Sequence, residues 1–389
     1  MELLRAMIPF RFLRSAAAVA AAAVLAAGCI QAPVAPTKQA GGDLVYPPPP
    51  DEPRYVYERT IYGSADVQPV DASTDLRRMV TGERGTSEGL SKPYAVAVHR
   101  GRVFVTDSAQ RYVRVFDFPA GRFYKIGEDE PGRIVKPLGL DVDAAGTLYV
   151  ADVSARDIKV FSAEGKYLRS IGGPKWFDRL SSVTVDPAGE RLYVVDIGGV
   201  SSANHRVRVF DAKSGAHLLD IGTRGAGPGE FNLPRDLAIG KDGQLYVVDG
   251  GNFRVQVFSR DGKFLRSFGA LGKQFGQFAR PKEVATDAAG NVYVVDAAFG
   301  NFQVFNAEGE LLLFVGERSE RDGPGKYMLP SGIYVDEDGR IYMIDQWFRK
   351  VDVFRPVALA KGAGWLQLPA KPAAAAPAKP AAATPAPAR

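Results

Sequence analysis

Between residues 90 and 356 the chain alternates short apolar runs with tight turn sequences, and it does so in a fixed order. The clearest stretch is DLAIGKDGQLYVVDGGNFRVQVFSRDGKFLRSFG, Asp236 to Gly269. It divides into DLAI, a KDG turn, QLYVVD, a loop, RVQVF, a DG turn and KFLRSFG. Runs such as LYVV and VQVF are apolar at successive positions, so both faces of each strand must be buried. DG, AG and EG turns are too short for parallel crossovers and predict antiparallel hairpins.

The unit recurs six times. The Asp that closes its second strand falls at Asp107, Asp152, Asp196, Asp249, Asp296 and Asp345; the Phe that ends its third strand falls at Phe116, Phe161, Phe210, Phe258, Phe305 and Phe354. Five of these six intervals are 9 residues, and the third is 14 because of an insertion within GGVSSANHR, Gly198 to Arg206. A four-stranded sheet apolar on both faces cannot bury itself, so the units must stack on one another. Radial stacking gives an all-β fold, a six-bladed β-propeller of four-stranded antiparallel blades.

The sixth unit stops after its third strand, at VDVF, whereas RYVYERTIYG, Arg54 to Gly63, is an isolated strand near the other end. Its close resembles the outer-strand ends RSFG and RSIG. Residues 54–63 are therefore expected to complete the last blade by pairing with Val351–Phe354, which removes an open seam. The following connector, 64–89, departs from the repeat, and its STDLRRMVTG is expected to form a short helix.

The elements GLDV, LYVVD, RVQVF and GKFLRSFG resemble those of NHL repeats, and GAGPGEFNLP and GKQFGQFARP match that family's glycine-rich connectors. The resemblance covers roughly residues 54–356. It implies the propeller fold and a module that binds proteins, peptides or RNA.

The ends are of another kind. Residues 1–28 carry Arg5, Arg11 and Arg14 ahead of SAAAVAAAAVLAAG, which is shorter than the roughly 20 residues of a membrane span and fits a signal-peptide core. LAAGC resembles the lipobox of bacterial lipoproteins, which implies acylation of Cys29, the single cysteine, after cleavage behind Gly28. Such a lipid holds a protein on a membrane without spanning it. Ile30 in place of Asp implies the outer membrane, facing the periplasm. The expected organisation is a signal peptide at 1–28, a proline-rich linker at 29–53, the propeller at 54–358, and a disordered Ala/Pro/Lys tail at 359–389.

The formal charge of +5 belongs to the ends. Three Arg and one Glu lie in 1–28, and Lys361, Lys371, Lys379 and Arg389 lie in 359–389 with no acid, so the part between is near neutral. That excludes a nucleic-acid binder with a basic folded surface. The tail lysines fit contact with anionic cell-wall polymer.

All length variation falls where the blade connectors and the loops between second and third strands emerge, so recognition is expected there. Asn204, His205 and Arg206 of the insertion are candidates. Lys92, Lys136, Arg179, Arg235 and Lys282, at the start of the first strands, form a candidate basic ring around the axis for an anionic ligand or acidic protein segment. The six Asp, followed by Arg111, Arg156, Arg206, Arg254 and Arg349, with Asn301 in the fifth unit, are read as structural: carboxylates at strand ends that accept loop N–H groups and pair with Arg. A catalytic zinc needs three convergent ligands, and His99, His205 and His217 fall at different places in the unit. A calcium site using Asp236 or Glu283 is the enzymatic alternative, a hydrolase or lyase, although both residues are read as connector caps. The expectation is a monomeric, non-catalytic, cofactor-free binding propeller, an accessory subunit of an envelope complex.

Overall fold

In the computed structural model, residues 43–68, 87–199 and 202–369 are described. The chain divides into two compact units, Met1–Asp43 and Leu44–Arg389. The first lies outside the described residues except for Asp43, as do Cys29 and the STDLRRMVTG segment.

Among the described residues, six antiparallel sheets form the blades of the second unit, and two short parallel pairs, Thr223–Arg224 with Glu230–Phe231 and Glu317–Arg318 with Lys326–Tyr327, lie in connectors. Blade 1 comprises Pro93–His99, Arg102–Asp107, Tyr112–Asp117 and Arg122–Ile126, and blades 2 to 5 repeat this order. Their inner strands are Pro137–Val142, Leu180–Val185, Pro234–Ile239 and Pro281–Thr286. Blade 6 has Pro330–Val335, Ile341–Asp345 and Lys350–Pro356, with Tyr55–Ile61 as its fourth strand. Tyr55 pairs with Pro356 and Ile61 with Val351, so the N-terminal strand closes the ring as the sequence predicts. Among the described residues the only helical element is a 3-10 turn at Ser64–Asp66, and no helix is long and apolar enough to cross a membrane.

The core lies between blades. Leu148 and Val150 pack toward blade 1 with Phe104 and Val115, whereas Tyr149 and Ala151 on the same strand pack toward blade 3 with Val183 and Val194. Successive residues thus serve opposite interfaces, which is why LYVV lacks polar alternation.

Two expected boundaries move. Val45–Tyr46 adds a fifth strand outside Tyr55–Ile61, so the linker drawn to residue 53 is partly sheet. At the other end residues 359–369 are docked, not tail. Leu366 is 1% exposed and joins Phe116 and Phe118 of blade 1, while Ala363 O accepts from Arg340 Nη2 of blade 6 at 2.5 Å. These apolar and backbone groups find partners across the seam, which the low-complexity sequence just beyond them obscures.

Candidate functional site

Each repeated Asp ends a second strand opposite the first residue of the inner strand, as in Asp107 facing Pro93 and Asp345 facing Pro330. All six are fully buried. Asp107 accepts from the N–H groups of Ser91 and Lys92 at 2.9 and 3.1 Å, and Asp296 from those of Ala279 and Arg280 at 2.7 and 2.9 Å. The carboxylate thus catches the incoming connector just before it becomes the inner strand. Asp249 also binds Arg254 Nε at 2.9 Å, and Asp107 binds Arg114 Nε at 3.1 Å. The Arg partners differ in part from those expected: Arg111, Arg156 and Arg349 instead end their turns with φ of 67, 57 and 55°.

Blade 4 departs from the pattern instructively. Asn232 N–H donates to Asp249 at 2.7 Å, but Leu233 N–H donates to His205 Nδ1 at 3.1 Å. His205, 1% exposed, therefore reaches from the blade 3 insertion to hold the next connector, and burial lowers its pKa, in keeping with a neutral acceptor ring. Arg206 lies 3.6 Å from Asp196 and 3.3 Å from Asp220, and Asn204 Nδ2 donates to Asp178 at 2.7 Å. Of the three candidate insertion residues, His205 and Arg206 are thus tied to the scaffold, and Asn204 is half-buried and held by Asp178. The other histidines are remote: His99 Nδ1 is 3.3 Å from Glu337 at the tight-turn face, and His217 Nε2 is 2.8 Å from Asp220 on an outer strand.

The expected single basic ring does not form. Lys92, Lys136 and Arg179 precede the residue paired with the repeated Asp, whereas Arg235 and Lys282 follow it. The corresponding positions in the other blades are Leu233, Arg280 and Leu329 for the first level, and Tyr94, Leu138, Ser181 and Ser331 for the second. Alignment by sequence spacing merged two levels because the base precedes the Asp-paired residue in blades 1 to 3 and follows it in blades 4 and 5. The first four of these bases are exposed, whereas Lys282 is half-buried and its pKa is pushed down to about 8 by burial.

The axis itself is acidic. A cavity of about 410 Å³ runs between the inner strands from Ser182, Asp236 and Glu283 to the exposed tight turns at Arg100, Ala144 and Glu337. Asp236 accepts from Ser182 Oγ at 2.5 Å and from Val284 N–H at 2.9 Å. Asp141 accepts from Thr184 Oγ1 at 2.5 Å and from Val185 N–H at 3.0 Å. Asp141 and Asp236 each reach the buried edge of the next inner strand, so Asp236 is not a connector cap; it clips blade to blade. Burial raises the pKa of Asp141 and of Asp236 to about 6 and that of Glu283 well above its usual range. Asp141 was legible as a polar break in the first-strand run GLDV, but no spacing rule assigned it a role. Among the described residues no three His, Asp or Glu side chains are grouped to hold a metal ion.

On the opposite, loop-bearing face, large apolar side chains stand exposed. Phe275 is 76% exposed, Leu271 65% and Trp347 62%. Phe275 stacks on Phe314 of blade 5 with ring centroids 5.3 Å apart.

Six radial four-stranded sheets, each inner strand anchored by a buried Asp, define a six-bladed β-propeller. The NHL repeat model matches residues 231–258, which span the connector into blade 4 and that blade's first three strands. The same strands and anchors recur around the ring, and the chain is a six-bladed β-propeller that carries an NHL repeat at residues 231–258. It is 29% identical over 136 residues to human NHL repeat-containing protein 3, an alignment that covers 30% of this chain and spans 38% of that relative's length. Among solved structures, a Bacteroides thetaiotaomicron protein of unknown function superposes with a TM-score of 0.57 at 18% identity, covering 77% of this chain and 76% of its own. A gluconolactonase from Xanthomonas campestris superposes with a TM-score of 0.52 at 15% identity, covering 78% of this chain and 99% of its own. At these identities the two structures share the fold with this chain.

Proposed function

We propose that this chain is a non-catalytic binding propeller, held at a bacterial envelope membrane through lipidated Cys29, that presents its loop face to a protein partner as an accessory subunit of an envelope complex. The observation that carries this reading is the exposed Leu271, Phe275 and Trp347 on that face. Protein-binding surfaces are enriched in such aromatic anchors, and exposed apolar side chains clustered on one face mark interaction sites. The scaffold beneath is rigid, since its repeated carboxylates are committed to holding connectors. In this reading the protein is a monomer that binds no nucleic acid. Fold alone assigns no activity, and Asp236, named for the enzymatic alternative, is engaged in clipping strands.

The test is cross-linking mass spectrometry in intact envelopes, comparing the wild type with a Leu271→Ser/Phe275→Ser/Trp347→Ser variant. Cross-links to one envelope protein that cluster on the loop face and vanish in the variant are expected. The same partner captured equally by both chains would overturn this assignment of the surface.

A further inference from the structure

The centre of the loop face carries a second feature, a concentration of positive charge. Where the chain enters each inner strand it brings a base in five of the six blades: Lys92, Lys136, Arg179 and Arg235, with both Arg280 and Lys282 in blade 5. Hydroxyl clips bring equivalent positions of neighbouring blades to one height. Ser181 Oγ donates to Arg235 O at 3.0 Å, and Ser331 Oγ donates to Tyr94 O at 2.8 Å. Lys282 holds that same position in blade 5, whereas Lys92, Lys136, Arg179 and Arg280 come two residues earlier, toward the connectors. The Arg235 stem packs over Gly250, where a Cβ would fall 2.7 Å from Arg235 Cγ, so the side chain lies along the loop that follows the second strand.

These cations have no carboxylate of their own. None of the six makes an ion pair or a side-chain hydrogen bond with a described residue. Bases elsewhere around the loops are matched: Arg254 with Asp249 at 2.9 Å, Arg208 with Asp220 at 3.2 Å and Lys125 with Glu88 at 2.7 Å. The repeated Asp are taken up by connector N–H groups, and Asp178, exposed beside Arg179, is held by Asn204. Burial, with Arg280 and Arg235 beside it, pushes the Lys282 pKa down to about 8 in spite of Glu283. The other five bases are exposed. Because the folded part of the chain is near neutral as a whole, this positive field is local to the centre of one face.

The arrangement selects among anions. Cations spread over five blades cannot all reach one small anion, and a ring about an axis does not follow the line of a nucleic-acid backbone. Leu233, 38% exposed, stands among the bases at the entry to blade 4, and Trp347 of blade 6 is exposed on the same face. A protein segment that carries several carboxylates beside apolar side chains complements both features, and guanidinium groups suit carboxylates in particular. Resting on the reading of the loop face as a protein-binding surface, we propose that its centre receives an acidic segment of the partner, whose carboxylates pair with Lys136, Arg235 and Arg280 while its apolar side chains meet Leu233 and Trp347.

The test is a fluorescence-anisotropy titration of the full chain with a labelled dodecapeptide of alternating Glu and Ala, with its Gln counterpart and an oligouridylate of equal length as controls. The Glu peptide should bind at least tenfold tighter than either control, and its binding should weaken as salt rises. Lys136→Glu/Arg235→Glu/Arg280→Glu should weaken it at least tenfold. Lys166→Glu/Lys213→Glu/Lys263→Glu makes the same change of charge at exposed turns of the opposite face and should weaken it less than threefold. All six positions are exposed, so both variants should melt with the wild type, and Lys136→Gln/Arg235→Gln/Arg280→Gln gives the same comparison without added acid. Equal losses in the two Glu variants, tighter binding of the oligouridylate, or no binding of the Glu peptide would overturn the proposal. In intact envelopes the variant reversed at the centre should also lose its partner's cross-links. A partner that this variant keeps, and that Leu271→Ser/Phe275→Ser/Trp347→Ser loses, would overturn the proposal and leave the reading of the face standing.

Discussion

Arg340 Nε donates to Glu58 Oε2 at 2.8 Å, joining a hairpin turn of the last blade to the strand that enters from the N-terminal side. The guanidinium is fully buried, and it also donates to Asp338 at 2.7 Å and to Ala363 O at 2.5 Å. One side chain therefore binds the closing strand, the blade and the C-terminal segment. Arg340→Ala leaves the buried Glu58 side chain with only the longer contact to Arg59, and a loss of about 3–5 kcal/mol in urea unfolding is expected. Arg340→Met/Glu58→Met should recover part of that loss, since the uncompensated charge is then gone.

The repeated Asp are anchors, and one can be tested singly. Asp249 accepts from Asn232 N–H, Asn252 Nδ2, Arg254 Nε and Gln256 Nε2. Asp249→Ala should destabilise by about 3–5 kcal/mol, because it orphans a charge and several donors at once. Amide exchange should quicken first in the connector around Asn232 if the anchor acts locally.

The axial acids give a pH dependence of defined sign. Asp141 titrates near 6 in the folded chain, above its ordinary 3.8, because burial disfavours the carboxylate. The folded state then holds a proton that the unfolded state has released, so this site's contribution falls as pH rises from about 4 through about 6. Its penalty is absent below that window and complete above it, at most about 3 kcal/mol. Asp141→Asn should therefore gain in melting temperature relative to wild type between pH 4.5 and 7.5; a constant difference would contradict this.

The docked C-terminal segment should behave as a second fastening. Leu366→Ala is expected to cost about 2–4 kcal/mol by emptying its place beside Phe118. Gly101 has φ of 74°, and a Cβ there would collide with the Trp365 carbonyl. Gly101→Val should release residues 359–369 to limited proteolysis while the blades stay resistant.

The repeat made the fold legible. Asp-to-Phe spacing and unbroken apolar runs such as LYVV encode a strand buried on both faces, and the missing fourth strand of blade 6 pointed to Tyr55–Ile61. Site chemistry was less legible because it depends on one-residue register. Lys92 and Arg235 each adjoin a proline that starts an inner strand, but from opposite sides, so spacing alone put them in one ring. Asp141, Asp236 and Glu283 acquire their role only from the edge of the neighbouring blade, a contact that no local pattern carries. Residues 359–369 were hidden by the Ala/Pro-rich sequence that follows them.

Closure by Tyr55–Ile61 has a consequence for biosynthesis. Its partner strand ends at Pro356, so the pair joins residues about 300 positions apart in order of synthesis. At about 5–20 residues per second, roughly 15–60 s separate their appearance. For that interval the early strand is an unpaired edge able to join other nascent chains. Glu58 and Arg59 at its centre break its apolar run, so the acid that later meets Arg340 also guards the strand while it waits.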